Sequence, residues 1–109
     1  MQSDQLKDRE SRIKIDEQLI DKLLSHGAVL ENRYLIDFLF VGNEASLNKL
    51  EPDLIGQGYK KNAKGSTNTR LLVQKTMKLD LLKSHIVLES LESLADEFGV
   101  KFDGWGTAV

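Results

Sequence analysis

The sequence predicts an α+β fold, a ferredoxin-like βαββαβ two-layer sandwich preceded by an extra N-terminal helix. Three observations carry that prediction. Apolar residues recur at helical spacing near residues 5–26, 43–56 and 81–98. Runs of alternating, β-branched or aromatic character lie at 31–43, 59–64, 69–77 and 100–103. With the first helix set aside, the order is strand–helix–strand followed by strand–helix–strand. Right-handed crossovers then place both later helices on one face of an antiparallel sheet with strand order 4-1-3-2. The whole chain, 1–109, reads as one domain, with 1–27 as a helical extension.

In the first helix Ile13, Ile20, Leu23 and Leu24 form a stripe that Ile15 and Leu19 widen. His26 suits the negative end of the helix dipole, and Gly27 suits a left-handed C′ position. In "ENRYLIDFLFVGN" (31–43), Tyr34, Ile36, Phe38 and Phe40 alternate with Leu35, Asp37, Leu39 and Val41. One face is wholly apolar and the other is interrupted only by Asp37, which points to a central strand. Across the open face Asp37 is expected to pair with a cation of the hairpin.

Asn43 reads as the N-cap of the second helix, with Leu47, Leu50 and Leu54 facing inward. Pro52 predicts a kink near 48–52 or a late helix start. "GQGY" ends the helix. The strands at 59–64 and 69–77 are joined through the turn-forming "KGSTN", which predicts a hairpin. Asp80 reads as the cap of a third helix over 81–98, with Val87, Leu91, Leu94 and Phe98 as its stripe and Leu88 and Ala95 flanking it. Gly99 stops it.

The composition excludes several classes of function. There is no cysteine, so disulfides, thiolate metal sites and a cysteine nucleophile are ruled out. No apolar run approaches the ~20 residues of a membrane span. "MQSDQLKDRESR" has no apolar core of a signal peptide, and the expected location is the cytoplasm. The two histidines stand in no metal-ligand spacing, and no phosphate-binding glycine loop is present. No catalytic, cofactor-binding or metal residue is therefore assigned, and the chain is read as a non-enzyme.

The net charge of −2 conceals an asymmetry. Residues 54–79 contain no Asp or Glu but carry Lys60, Lys61, Lys64, Arg70, Lys75 and Lys78, a local +6. The rest of the chain holds 9 basic and 17 acidic residues, a net −8. The basic hairpin reads either as a phosphate-contacting surface or as an edge whose lysines block unwanted strand pairing. "LFVGN" (39–43) resembles the first strand of RNA-recognition domains, in which an aromatic ring stacks on a base. The third strand, "TNTRLLVQKTM", has no matching aromatics, so Phe40 is read as a core residue.

Trp105 is the only Trp, held between Gly104 and Gly106. A regular last strand puts it opposite Val100 and Phe102. A bulge at Gly104 sends it into the core instead.

"SLADEFGVKFDGWGTAV" (93–109) resembles the end of the family called regulator of ribonuclease E activity B, the ribonuclease E inhibitor proteins. The residues that carry the resemblance are Leu94, Ala95, Phe98 and the string Phe102-Asp103-Gly104-Trp105-Gly106. The alternating strand ending in "FLF" and the Gly58-Tyr59 pair support it, and the element order agrees over residues 5–109. The resemblance implies a ferredoxin-like fold and a non-enzymatic protein that binds ribonuclease E through its non-catalytic scaffold region. It would thereby inhibit RNA cleavage and alter degradosome composition. It implies no cofactor.

The expected partner is accordingly a protein, ribonuclease E or another degradosome component. The residues assigned to partner contact are Asp103 and Trp105 from the motif, with Lys60, Lys61, Lys64 and Arg70 from the hairpin. The alternatives are an RNA-binding module that uses the hairpin and an interaction module that dimerises through the open sheet face.

Overall fold

The computed structural model describes the backbone of residues 2–107 and the side chains of residue 11 and residues 13–107. Its elements are α1 (Gln2–Ser25), β1 (Arg33–Val41), α2 (Glu44–Gly56), β2 (Lys60–Lys61), β3 (Arg70–Lys78), α3 (Leu79–Lys83), α4 (Ile86–Phe98) and β4 (Lys101–Thr107). The strands form one antiparallel sheet in the order β2-β3-β1-β4, with β1 inside. The alternation along β1 explains its central place. Ile36, Phe38 and Phe40 are completely buried on one face, and Leu35, Asp37, Leu39 and Val41 stay partly or wholly exposed on the other.

All four helices bury their apolar residues against the first of these faces. Ile20 and Leu23 of α1, Leu47, Leu50 and Leu54 of α2, Leu79 and Leu82 of α3, and Leu88, Leu91 and Ala95 of α4 form one cluster with Phe38 and Phe40. Each fully buried side chain of this size contributes about 1.5–3 kcal/mol relative to exposure. In α1, Ile15 is 62% exposed and so lies outside the stripe expected to include it. In α4 the buried line is Leu88, Leu91 and Ala95, with Val87, Leu94 and Phe98 at its margins.

Local signals set the helix ends. Asn43 caps α2 by accepting from the Ser46 N–H at 2.8 Å. The helix starts at Glu44 and runs through Pro52, so it does not begin late. Pro52 and Asn48 are both exposed, and water can take the Asn48 carbonyl that proline leaves without its usual donor. α2 closes in a Schellman turn. Gly58, at φ 95°, donates to Ile55 O, and Tyr59 N donates to Leu54 O at 3.1 Å. Gly27 closes α1 in the same way at φ 100°, with Ala28 N on Leu23 O.

Two elements depart from expectation. The helix predicted over 81–98 is broken in two, with His85 in the left-handed conformation at φ 63° between the pieces. Leu79 and Leu82 are fully buried, and the N–H groups of Leu79 and Asp80 bind Asn32 O and Leu30 O. Tying α3 to the segment before β1 leaves no straight path on which Leu88, Leu91 and Ala95 also reach the core. Asp80 is not the cap, because Lys78 occupies that position, and Asp80 lies in the first turn of α3 where a negative charge suits the dipole.

The second departure is the hairpin. Its first strand is only Lys60–Lys61. Asn62 Oδ1 accepts from Lys64 N and Gly65 N, and Ser66 Oγ accepts from Leu72 N at 3.0 Å. Side-chain bonding of this kind competes with ladder pairing and shortens the strand.

Candidate functional site

The pairing register assigns each strand residue to a face, because directly paired residues share a side. In β4 the register shifts by one residue between Leu39 and Phe40. Phe102 pairs with Phe40, Gly104 pairs with Leu39, and Asp103 is the extra residue. Gly104 takes φ 142° at this bulge, a value that side chains rarely adopt. The shift puts Trp105 opposite Phe38, on the helix side of the sheet. There its ring packs on the core, and Nε1–H donates to Asp16 Oδ1 of α1 at 3.0 Å. Asp16 is only 8% exposed. Of the two positions considered for Trp105, the bulged one is realised.

This bond also locates α1. Asp16 reaches a residue on the Phe38 side, and Ile20 and Leu23 lie in the same cluster as Phe38. The N-terminal helix therefore joins the helical layer, and no described helix covers the second sheet face, on which only the loop at Gly65 lies against Leu72. None of the residues Leu35, Leu39, Val41 and Leu72 packs against the core cluster.

The uncovered face has an apolar middle and a basic frame. Leu39 sits between Leu72 and Gly104, and Leu35 is 53% exposed. Arg33 pairs with Lys78 at one end, while Val41 lies between Arg70 and Lys101 at the other. Lys60 pairs with Gln74 and joins the same face. Its carboxylates are Asp37 and Asp103, giving five cations against two anions. Asp37 accepts from Gln74 Nε2 at 2.6 Å, so the lysine or arginine expected to pair with it is replaced by an amide. A trough of about 260 Å³ lies over Gly104 and Gly106, walled by Asp37, Leu39, Leu72 and Asp103 and bordered by Trp105. It exists because two glycines stand where side chains of the edge strand would project.

The six residues assigned to partner contact are divided by this arrangement. Lys60, Arg70 and Asp103 are exposed and belong to the open face. Lys61 points to the helical side, where it pairs with Glu51 of α2 at 3.0 Å. Trp105 is also directed to that side. Lys64 is exposed in the loop beside Gly65, which packs against Leu72. Lys75 pairs with Ile36 and so lies on the helical side, with Nζ 4.9 Å from the Tyr59 ring centroid and bonded to Gln57 O at 2.9 Å.

Reading the sequence for sites missed Arg33, Lys78 and Lys101, which the pairing register assigns to the open face. It also missed Asp16, whose signal is a carboxylate set at helical spacing between Ile13, Ile20 and Leu23. Burial pushes the Tyr59 phenol above its ordinary 10.0.

Among the described residues no group of three or more His, Asp or Glu side chains could hold a metal ion. No described helix is long and apolar enough to cross a membrane. The arrangement offers binding groups of opposite polarity around an apolar strip.

The family model described as Regulator of ribonuclease activity B matches residues 13–107. That span runs from α1 through β4, and the chain belongs to this family. No curated protein matches the chain closely enough to count as a relative.

Proposed function

From this family membership we propose that the chain is a non-enzymatic regulatory protein that inhibits ribonuclease E, or acts on another degradosome component, by protein–protein contact in the cytoplasm. The observation that carries the reading is the family match over residues 13–107. The bare sheet face supports it, because an exposed apolar strip within a polar frame is the usual form of a contact surface. Lys60, Arg70 and Asp103 are the sequence-assigned contact residues retained on that face. Trp105 acts from behind it, holding β4 against α1.

The fold is read as ferredoxin-like within one domain, 1–109, with residues 1–27 as an extension that closes the helical layer. The strand order β2-β3-β1-β4 and the helices between the strands support this reading. Mechanistically, the chain would act by occupancy. A bound regulator blocks or repositions part of its target and needs no chemistry of its own.

The test is a binding and cleavage experiment with purified components. Immobilised chain should retain purified ribonuclease E, and added chain should slow its cleavage of an RNA substrate. If the chain neither retains the enzyme nor slows it, the reading fails.

A further inference from the structure

We propose that the open sheet face is a docking site for an extended acidic segment of a partner protein, with an apolar side chain of that segment seated in the trough over Gly104 and Gly106. This rests on the reading of the chain as a contact regulator and adds the chemistry of what it contacts.

Charge selects the occupant. The face carries Arg33, Lys60, Arg70, Lys78 and Lys101 against Asp37 and Asp103. Residues 54–79 hold no carboxylate, so nothing within that stretch neutralises Lys60 or Lys78, while Arg70, at the end of β3, also lines a cleft with Glu44 and Glu51 of α2. The cations stand at the two ends of the face and at one side, and the apolar residues lie between them. A segment with carboxylates toward its ends and an apolar centre matches that pattern.

Size and geometry argue against the other occupants. From Arg33 to Val41 the strand spans roughly 27 Å, and four strands are about 14 Å across, a projected area of roughly 400 Å². A standard interface takes about 800 Å² from each partner, so the face suits a segment of about eight extended residues better than a globular surface. A second copy packed face to face would set five cations against five. Single-stranded RNA is bound on sheets by stacking on aromatic rings. In this protein Tyr34, Phe38, Phe40 and Phe102 all lie on the helical side, and Trp105, paired opposite Phe38, only borders the trough, so the open face presents no pair of rings on which successive bases could stack.

The trough explains the apolar centre. Its walls include Leu39 and Leu72, and its floor lacks two side chains. Gly106 is the suitable handle. It has no positive φ, and a Cβ there meets nothing within 4 Å, so a larger residue fills the trough without backbone strain.

The experiment selects a random twelve-residue peptide library against the immobilised full chain. Selected peptides are expected to be net acidic with an apolar residue flanked by Asp or Glu. Their affinity should fall at least tenfold on Gly106→Leu and at least tenfold on the Arg70→Glu/Lys101→Glu pair, with both variants keeping the wild-type circular dichroism. Raising the salt from 50 to 500 mM should weaken binding severalfold. Neutral or basic selected peptides, no enrichment, or indifference to both variants overturns the proposal. So does a uridine oligonucleotide that binds the face more tightly than the best peptide. A parallel arm measures ribonuclease E binding by the wild-type chain and both variants. Loss of wild-type binding there removes the functional reading. Retained binding in the variants removes only this face as the site.

Discussion

Removing the indole N–H of Trp105 while keeping an aromatic body tests how the last strand holds the first helix. In Trp105→Phe the Asp16 carboxylate, 8% exposed, loses the donor that stood 3.0 Å from Oδ1. A hydrogen bond to a charged acceptor contributes about 1.5–3 kcal/mol net, and the smaller ring gives up some further packing. The expected loss is about 2–3 kcal/mol, a substantial part of the 5–15 kcal/mol that stabilises a typical domain. With a urea slope of about 1–2 kcal/mol/M, the midpoint should fall by at least about 1 M. Circular dichroism is the proper probe, because the variant has lost the only Trp. Asp16→Asn, which keeps an oxygen acceptor, should cost less than Trp105→Phe. A double-mutant cycle with Asp16→Ala should show coupling above about 1 kcal/mol. A Trp105→Phe variant within about 0.5 kcal/mol of wild type, with additive double-mutant behaviour, would refute the claim that this bond pins α1 to β4.

Three further perturbations have defined outcomes. Asn43→Ala removes the side-chain acceptor for Ser46 N and should cost about 1 kcal/mol, read as a lowered thermal midpoint. Gly104→Ala forces a side chain onto φ 142° and should cost about 1–3 kcal/mol, whereas Gly106→Ala, without that φ, should stay within about 1 kcal/mol of wild type in the same denaturation assay. Burial raises the Tyr59 phenol above 10.0, so the unfolded chain ionises first. That contribution is fully present below pH 10.0 and is lost as pH rises from there through the folded-state value. Urea unfolding at a series of pH values from neutral to strongly alkaline should therefore show a steeper loss in wild type than in Tyr59→Phe, and parallel curves would contradict the assignment.

Much of this architecture was legible because local and global signals agree. β1 announced itself as central through two largely apolar faces. Asn43, Gly27, Gly58 and Gly99 marked helix ends because capping is a local backbone requirement that sequence records directly. The break at His85 was not legible, since it arises from the competing demands of Leu79 and Leu82 on one axis and Leu88 and Leu91 on another. The short β2 was hidden for a similar reason, because Asn62 and Ser66 divert the backbone through bonds to positions several residues away.

The candidate site was half visible. The basic run drew attention to Lys60, Lys61, Lys64 and Arg70 as a group, yet strand alternation separates Lys60 from Lys61. The pairings with Arg33 and Lys101 come from distant strands and required the register. Trp105 was singled out correctly as unusual, but its side of the sheet depended on a one-residue bulge that two glycines permit without dictating.

The most direct measurement is the rate at which purified ribonuclease E cleaves a defined RNA as the chain is added, with wild type and Arg70→Glu/Lys101→Glu compared side by side. Contact through the open face predicts that wild type slows cleavage in a saturable manner and that the folded charge-reversed variant is at least tenfold less potent. Unchanged cleavage with wild type, or equal potency of the variant, contradicts it.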